Sequence, residues 1–128
     1  MSGYSIDIEK KTIDNGNFRE VLYTAPNLQL VVMSLKPGEE IGMETHDHGD
    51  QFFRVEAGEG EAILDGETHT LTDGSIVIIP EKVEHNIINT SADKDLKVYT
   101  IYTPPEHKDG VVHTTKAQAD ADEDDHAG

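Results

Sequence analysis

The sequence predicts an all-β sandwich or barrel, on three observations: closely spaced turn signals, β-branched and aromatic stretches between them, and no sustained helical period. The turn signals are Pro37-Gly38, His48-Gly49-Asp50, Gly58-Glu59-Gly60, Asp65-Gly66 and Asp73-Gly74. Between them lie Leu28 to Leu35, Gln51 to Val55, Ala62 to Leu64, Ile76 to Ile79, His85 to Asn89 and Leu96 to Tyr102. Short strands joined by tight turns follow from this alternation.

Each element has its own justification. Asp65-Gly66 is the sharpest local signal, because these residues supply the positive φ angles of a two-residue hairpin. Ile76-Val77-Ile78-Ile79 is apolar at every position, as in a strand covered on both faces. Along Gln51-Phe52-Phe53-Arg54-Val55, period-2 alternation puts Phe53 and Val55 on the face of Gln51, and Phe52 and Arg54 on the other. From Thr114 onward, Ala and Gln give way to Asp120, Asp122, Glu123, Asp124 and Asp125. A short helix or arm fraying into a disordered acidic tail is expected over 114–128.

With 128 residues, 35% of them hydrophobic, the chain can fill one core. No apolar run is long enough to cross a bilayer, and Met1-Ser2-Gly3-Tyr4-Ser5 lacks the basic and hydrophobic parts of a secretory signal, so a cytoplasmic location is expected. The formal net charge of −16 repels phosphate backbones and anionic lipid, so neither nucleic acid nor membrane is an expected partner. The absence of cysteine leaves His, Asp, Glu and Gln as the available metal ligands.

Two segments carry the chemistry. Glu44, His46 and His48 alternate, so on a regular strand all three side chains project from one face. Gly74 through Pro80, His85 and Asn89 then reads as turn, buried strand, proline corner and a second strand opened by a histidine. This segment resembles the second cupin motif, Gly-x5-Pro-x-Gly-x2-His-x3-Asn, with Lys82 where the family prefers a glycine at a corner that usually needs positive φ. The earlier segment resembles the first cupin motif. Gln51 stands in the place of the usual glutamate, six residues before Gly58, but only Gly49 and Asp50 separate it from His48.

The resemblance covers roughly 28–103, within an expected domain of 1–113. It implies a double-stranded β-helix, or jelly roll, holding one divalent metal inside the barrel near one mouth, on His46, His48, His85 and Gln51. Zinc, iron, nickel, manganese, cobalt and copper all remain open as the ion. Resemblance to small cupins of bacteria and archaea also implies pairing as a homodimer through an edge strand. Glu44 is the first candidate for a substitute carboxylate ligand or a catalytic general base. Asp50 is the second, although its place suits a turn that accepts backbone N–H bonds.

Of Tyr99 and Tyr102, on opposite strand faces, only one can reach a ligand. The arm from Thr103 to His113 either folds over the barrel mouth, bringing His107 or His113 to a substrate, or clamps the outside of a partner subunit, and the clamp is the plainer expectation. His69 is expected on a hairpin surface and His126 in the tail. The leading functional expectation is a metal-dependent enzyme acting on a small-molecule substrate, with sugar or sugar-phosphate isomerisation suggested by likeness to phosphomannose isomerase. The alternatives are an iron- or nickel-dependent dioxygenase and a non-catalytic small-molecule-binding cupin.

Overall fold

A computed structural model describes residues 2–126. Met1, at the start of the expected domain, and Ala127 and Gly128, at the end of the expected tail, lie outside the described residues. The elements in chain order are α1 (Ile8–Asp14), β1 (Arg19–Thr24), β2 (Gln29–Leu35), β3 (Asp50–Ala57), β4 (Gly60–Leu64), β5 (Glu67–Leu71), β6 (Ile76–Ile79), β7 (His85–Asn89), β8 (Leu96–Thr103), β9 (Val112–His113) and α2 (Lys116–Ala121).

Turn chemistry sets the ladders. Asp65 and Gly66 take φ of 47° and 82°, so β4 folds back on β5 with Leu64 opposite Glu67. The strands form a six-stranded sheet in the order β6-β3-β8-β2-β1-β9 and a three-stranded sheet in the order β5-β4-β7. Their inner faces close on one core of Val31, Met33, Leu35, Phe53, Val55, Ala62, Ile87, Leu96 and Val98, none more than 2% exposed. This is the expected jelly roll.

The small sheet extends through an irregular stretch. Ile41 N–H donates to the Ile87 carbonyl at 2.9 Å. Glu44 and His85 exchange both backbone bonds at 2.8 Å. Gly42 N–H donates to the Asn86 side chain at 2.9 Å. The chain at 40–46 thus lies along β7, touching it through isolated bridges rather than a continuous strand.

Three expectations change. Ile76 and Ile78 are 51% and 60% exposed, so β6 is not covered on both faces. It is an edge strand, and the outer cover of this sheet, α1, lies instead over β8, β2 and β3. α1 was not visible as a helical period because seven residues complete barely two turns; Asp7 caps it by accepting from Lys10 N–H at 3.1 Å. The C-terminal stretch, finally, is docked. The expected short helix is present as α2, capped by Thr115, and Asp125 beyond it is buried.

Candidate metal centre at the barrel mouth

His85 opens β7 and points into the barrel, 3% exposed. Its Nδ1 lies 2.9 Å from the Val83 carbonyl. A carbonyl can only accept, so Nδ1 carries the proton and Nε2 keeps a lone pair free for a ligand. His46 is held across the mouth by the proline corner. Lys82 keeps the positive φ that the family gives to glycine, at 70°, and its N–H donates to the His46 carbonyl at 2.7 Å. The His46 and His85 rings lie 5.1 Å apart between centroids.

Glu44 completes a compact group. One ligand atom from each of Glu44, His46 and His85 lies within 4.8 Å of the others. Glu44 Oε2 approaches His46 Nε2 to 3.2 Å without hydrogen-bond alignment, and that nitrogen is buried with no hydrogen-bond partner. Gln51, beside His46, donates from Nε2 to Thr100 Oγ1 at 3.0 Å, which leaves its Oε1 buried and unpartnered. A buried imidazole nitrogen and a buried amide oxygen, both without partners at one place, carry a desolvation cost that a bound cation would remove. Imidazole nitrogen, carboxylate and amide oxygen together fit a divalent ion.

The charges are mutually tuned. Burial pushes Glu44 upward, but contact with His46 and the charges of His46, His85 and Arg19 outweigh it, so the carboxyl sits below its ordinary value. Contact with Glu44 raises His46 above its ordinary value against the opposing effect of burial, and Glu106, 3.7 Å from His46 Nδ1, adds to the rise.

The predicted residues divide accordingly. Glu44, His46 and His85 come together, with Gln51 beside them. His48 is exposed and is not a member of the group. The alternation assumed for 44–48 ends at a bend at Asp47 and His48, and Gly49 follows at φ 118°, where a Cβ would run into the Thr103 carbonyl. A chain turning this sharply cannot keep side chains i and i+2 on one face. Asp50 serves the corner, accepting from Glu81 N–H at 3.0 Å. Phe53 and Val55 are buried on the side of Gln51, as the alternation requires.

The arm folds over the mouth of its own barrel, the first of the two expected courses. Gln29, fully buried on β2, accepts from Glu106 N–H at 3.1 Å and His107 N–H at 2.9 Å and donates to the His107 carbonyl at 2.8 Å. His107 lies between Tyr102 Oη at 3.2 Å and Asp125 Oδ2 at 2.6 Å. Burial pushes it down to about 4, further than Asp125 can lift it, so near neutrality Nδ1–H donates to Asp125 and Nε2 accepts from Tyr102. His113 lies likewise between Arg19 Nη1 at 3.2 Å and Asp122 Oδ2 at 2.9 Å. Two arm histidines thus join barrel residues to C-terminal aspartates.

Tyr102 is the inward tyrosine, its ring edge-on to His46 at 5.9 Å, while Tyr99 lies against Phe52 on the outer side. His69 is exposed, and His126 borders the cavity at the mouth. Arg19 and Glu106 had no signal in the sequence. On β1, Arg19 alternates with Val21, so the fold puts a cation on the core face.

The model of the cupin domain matches residues 31–102, more than half of the chain. The chain is a cupin. It is 40% identical over 127 residues to YrkC of Bacillus subtilis, covering 94% of this chain and 68% of that protein. L612 of Acanthamoeba polyphaga mimivirus is 39% identical over 91% of this chain and 74% of its own, which carries the resemblance beyond bacteria and archaea. The crystal structure of BH2720 from Bacillus halodurans superposes with a TM-score of 0.90 at 40% identity, over 92% of this cupin and 93% of that chain. Among the described residues, no helix is long and apolar enough to cross a membrane.

Proposed function

We propose that this cupin is a metal-dependent enzyme acting on a small polar metabolite, with one divalent ion held by Glu44, His46 and His85 and Gln51 Oε1 as a further donor. The observation that carries the reading is the convergence of ligand atoms of Glu44, His46 and His85 within 4.8 Å, with His46 Nε2 and, beside it, Gln51 Oε1 left unpartnered. Two imidazoles and one carboxylate, with positions left open, form the donor set favoured by ferrous iron in oxygen-dependent enzymes. Isomerisation drew on likeness to cupins that hold metal with histidines and a glutamine, and the exposure of His48 weakens that likeness. Oxygen-dependent oxidation therefore stands ahead of it, and non-catalytic binding is the remaining reading.

A bound divalent ion would supply Lewis acidity and, as iron, one-electron chemistry. The protein's part is positioning. Glu44, kept deprotonated, brings negative charge to the ion. His85 is oriented by the Val83 carbonyl and His46 by Lys82 N–H. Tyr102, whose hydroxyl burial holds in the neutral form, donates a hydrogen bond to His107 and packs its ring against His46. The arm shields the mouth from bulk water.

We also propose homodimer formation through β6, supported by the outward Ile76 and Ile78 on an unpaired edge. A cytoplasmic place of work, away from nucleic acid and membranes, accords with the net charge of −16.

Protein loaded separately with iron, nickel or zinc should be screened for oxygen uptake and for aldose–ketose interconversion with small metabolites. Oxygen uptake that needs iron and disappears in Glu44→Ala supports the proposal. Sugar interconversion would restore isomerisation, and silence in both assays would leave a binding protein.

A further inference from the structure

Among the described residues at the mouth, Arg19 is a buried cation without an ion pair. It begins β1 on the same face as Val21, inside the barrel, and is 7% exposed. Among the described residues no carboxylate forms an ion pair with it. Its Nη1 is occupied by His113 at 3.2 Å, while Nε is buried without a hydrogen-bond partner. A buried guanidinium without an ion pair carries a large desolvation cost, which the Phe18 ring beneath it at 5.3 Å and the charge of Glu44 offset only in part.

The nearby acids have other partners. Asp120 is held by Lys116, Asp122 by His113 and Asp125 by His107 and Lys108 N–H, while Glu44 and Glu106 lie beside His46 at 3.2 and 3.7 Å. Arg19 shares with Glu44, His46, Glu106 and His107 a cavity of about 300 Å³. Its charge also acts on Glu44, Tyr102 and His107, so it lies close to the group that would hold the proposed ion and borders the same cavity.

We infer that Arg19 is the anion grip of this cavity and takes the carboxylate of a small 2-oxo or 2-hydroxy acid, whose second oxygen reaches the Glu44, His46 and His85 group. The inference names a substrate class for the proposed metal centre and rests on that reading for the second contact. A guanidinium presents parallel N–H donors along its Nε edge, and a planar carboxylate matches them. Glu44, Glu106, Asp120, Asp122 and Asp125 all border the same space and disfavour every anion away from Arg19, a dianion most, which selects a monocarboxylate over phosphate. The cavity lies at the small end of ligand pockets, as a ligand of a few carbons requires.

Calorimetric titration of the zinc-loaded and the metal-free full chain tests this, with pyruvate, glycolate, acetate and inorganic phosphate as probes. Zinc alone is titrated into each variant in parallel. Pyruvate and glycolate are expected to bind the wild type saturably and more tightly than acetate or phosphate. Arg19→Gln should weaken pyruvate at least about tenfold, as for a lost charge-assisted bond, while leaving zinc binding in place. Arg19→Lys, which keeps the charge and the fold but loses the parallel donors, should fall between the two. His113→Ala, which frees Nη1 and keeps the cation, should bind pyruvate within about threefold of the wild type, because it retains the charge-assisted contact.

Equal pyruvate binding in the wild type and Arg19→Gln, tighter binding of phosphate than pyruvate, or no saturable binding of any probe would overturn the inference. So would an equal loss in His113→Ala, since the arm would then be the cause. Failure of zinc to bind the wild type would sink the metal reading separately, because the grip of Arg19 on pyruvate would still be measurable in metal-free protein.

Discussion

The two stretches that supply imidazoles to the site are built in opposite ways. β7 is a regular strand, paired with β4 residue by residue, and His85 is aimed by that ladder and by its own bond to the Val83 carbonyl. The stretch from 40 to 49 has no ladder of its own; it lies on β7 through bridges at Glu40 and Glu44, then turns away at His48. A paired strand fixes side-chain direction by its period, whereas an irregular stretch fixes it one hydrogen bond at a time. Substitutions on the two sides should therefore fail differently.

The largest effect is expected on metal affinity. His85→Ala and Glu44→Gln should each remove stoichiometric binding of zinc by calorimetry, whereas His48→Ala should leave it within about threefold, because an exposed residue outside the group contributes no ligand bond. Equal losses at positions 44 and 48 would mean that the alternation continues past the bend.

Next comes the arm, which is buried by polar contacts rather than by a ladder. His107 has its proton affinity lowered from 6.5 to about 4 in the fold. The unfolded chain therefore takes up a proton that the folded one refuses, and stability falls as pH drops from about 6.5 to about 4, by about 3 kcal/mol. Denaturant titrations across this range should show a shallower fall for His107→Gln than for the wild type. Parallel curves would mean that His107 does not titrate in this window.

Gln29→Leu leaves the backbone groups of Glu106 and His107 buried without partners, and should cost about 2–4 kcal/mol in the same titration. A loss below 0.5 kcal/mol, on the order of an ordinary surface change, would mean that the arm is not held from β2. The smallest expected effect lies at the corner. Lys82→Gly relieves a left-handed residue and should stabilise by about 0.5–1 kcal/mol, net of the chain entropy of glycine. A destabilised Lys82→Gly would mean that the lysine side chain has a supporting contact there.

The same contrast explains what the sequence could and could not tell. Ile76 to Ile79 and His85 to Asn89 were legible to the residue, because Gly74, Pro80 and the following turns bound strands whose side chains alternate. Glu44, His46 and His85 were legible as donors, since no cysteine competes and the two motifs lie at the right separation. His48 stands apart from the group because the alternation that joined it to His46 runs into a bend that Gly49 makes possible. β1 and the buried Arg19 left no pattern, for a cation on a core face inverts the signal that marks such a face. The role of Asp125 was hidden in a run of acids that looks solvated, and only the docking of His107 against it sets it apart.

Anomalous diffraction from crystals of zinc-loaded protein, collected on both sides of the zinc absorption edge, tests the central claim most directly. A single peak per chain is expected, about 2.0–2.2 Å from His46 Nε2, His85 Nε2 and a Glu44 carboxylate oxygen, with His48 remote from it. A peak bonded to His48 without Glu44, or no peak between the His46 and His85 rings, would contradict the account.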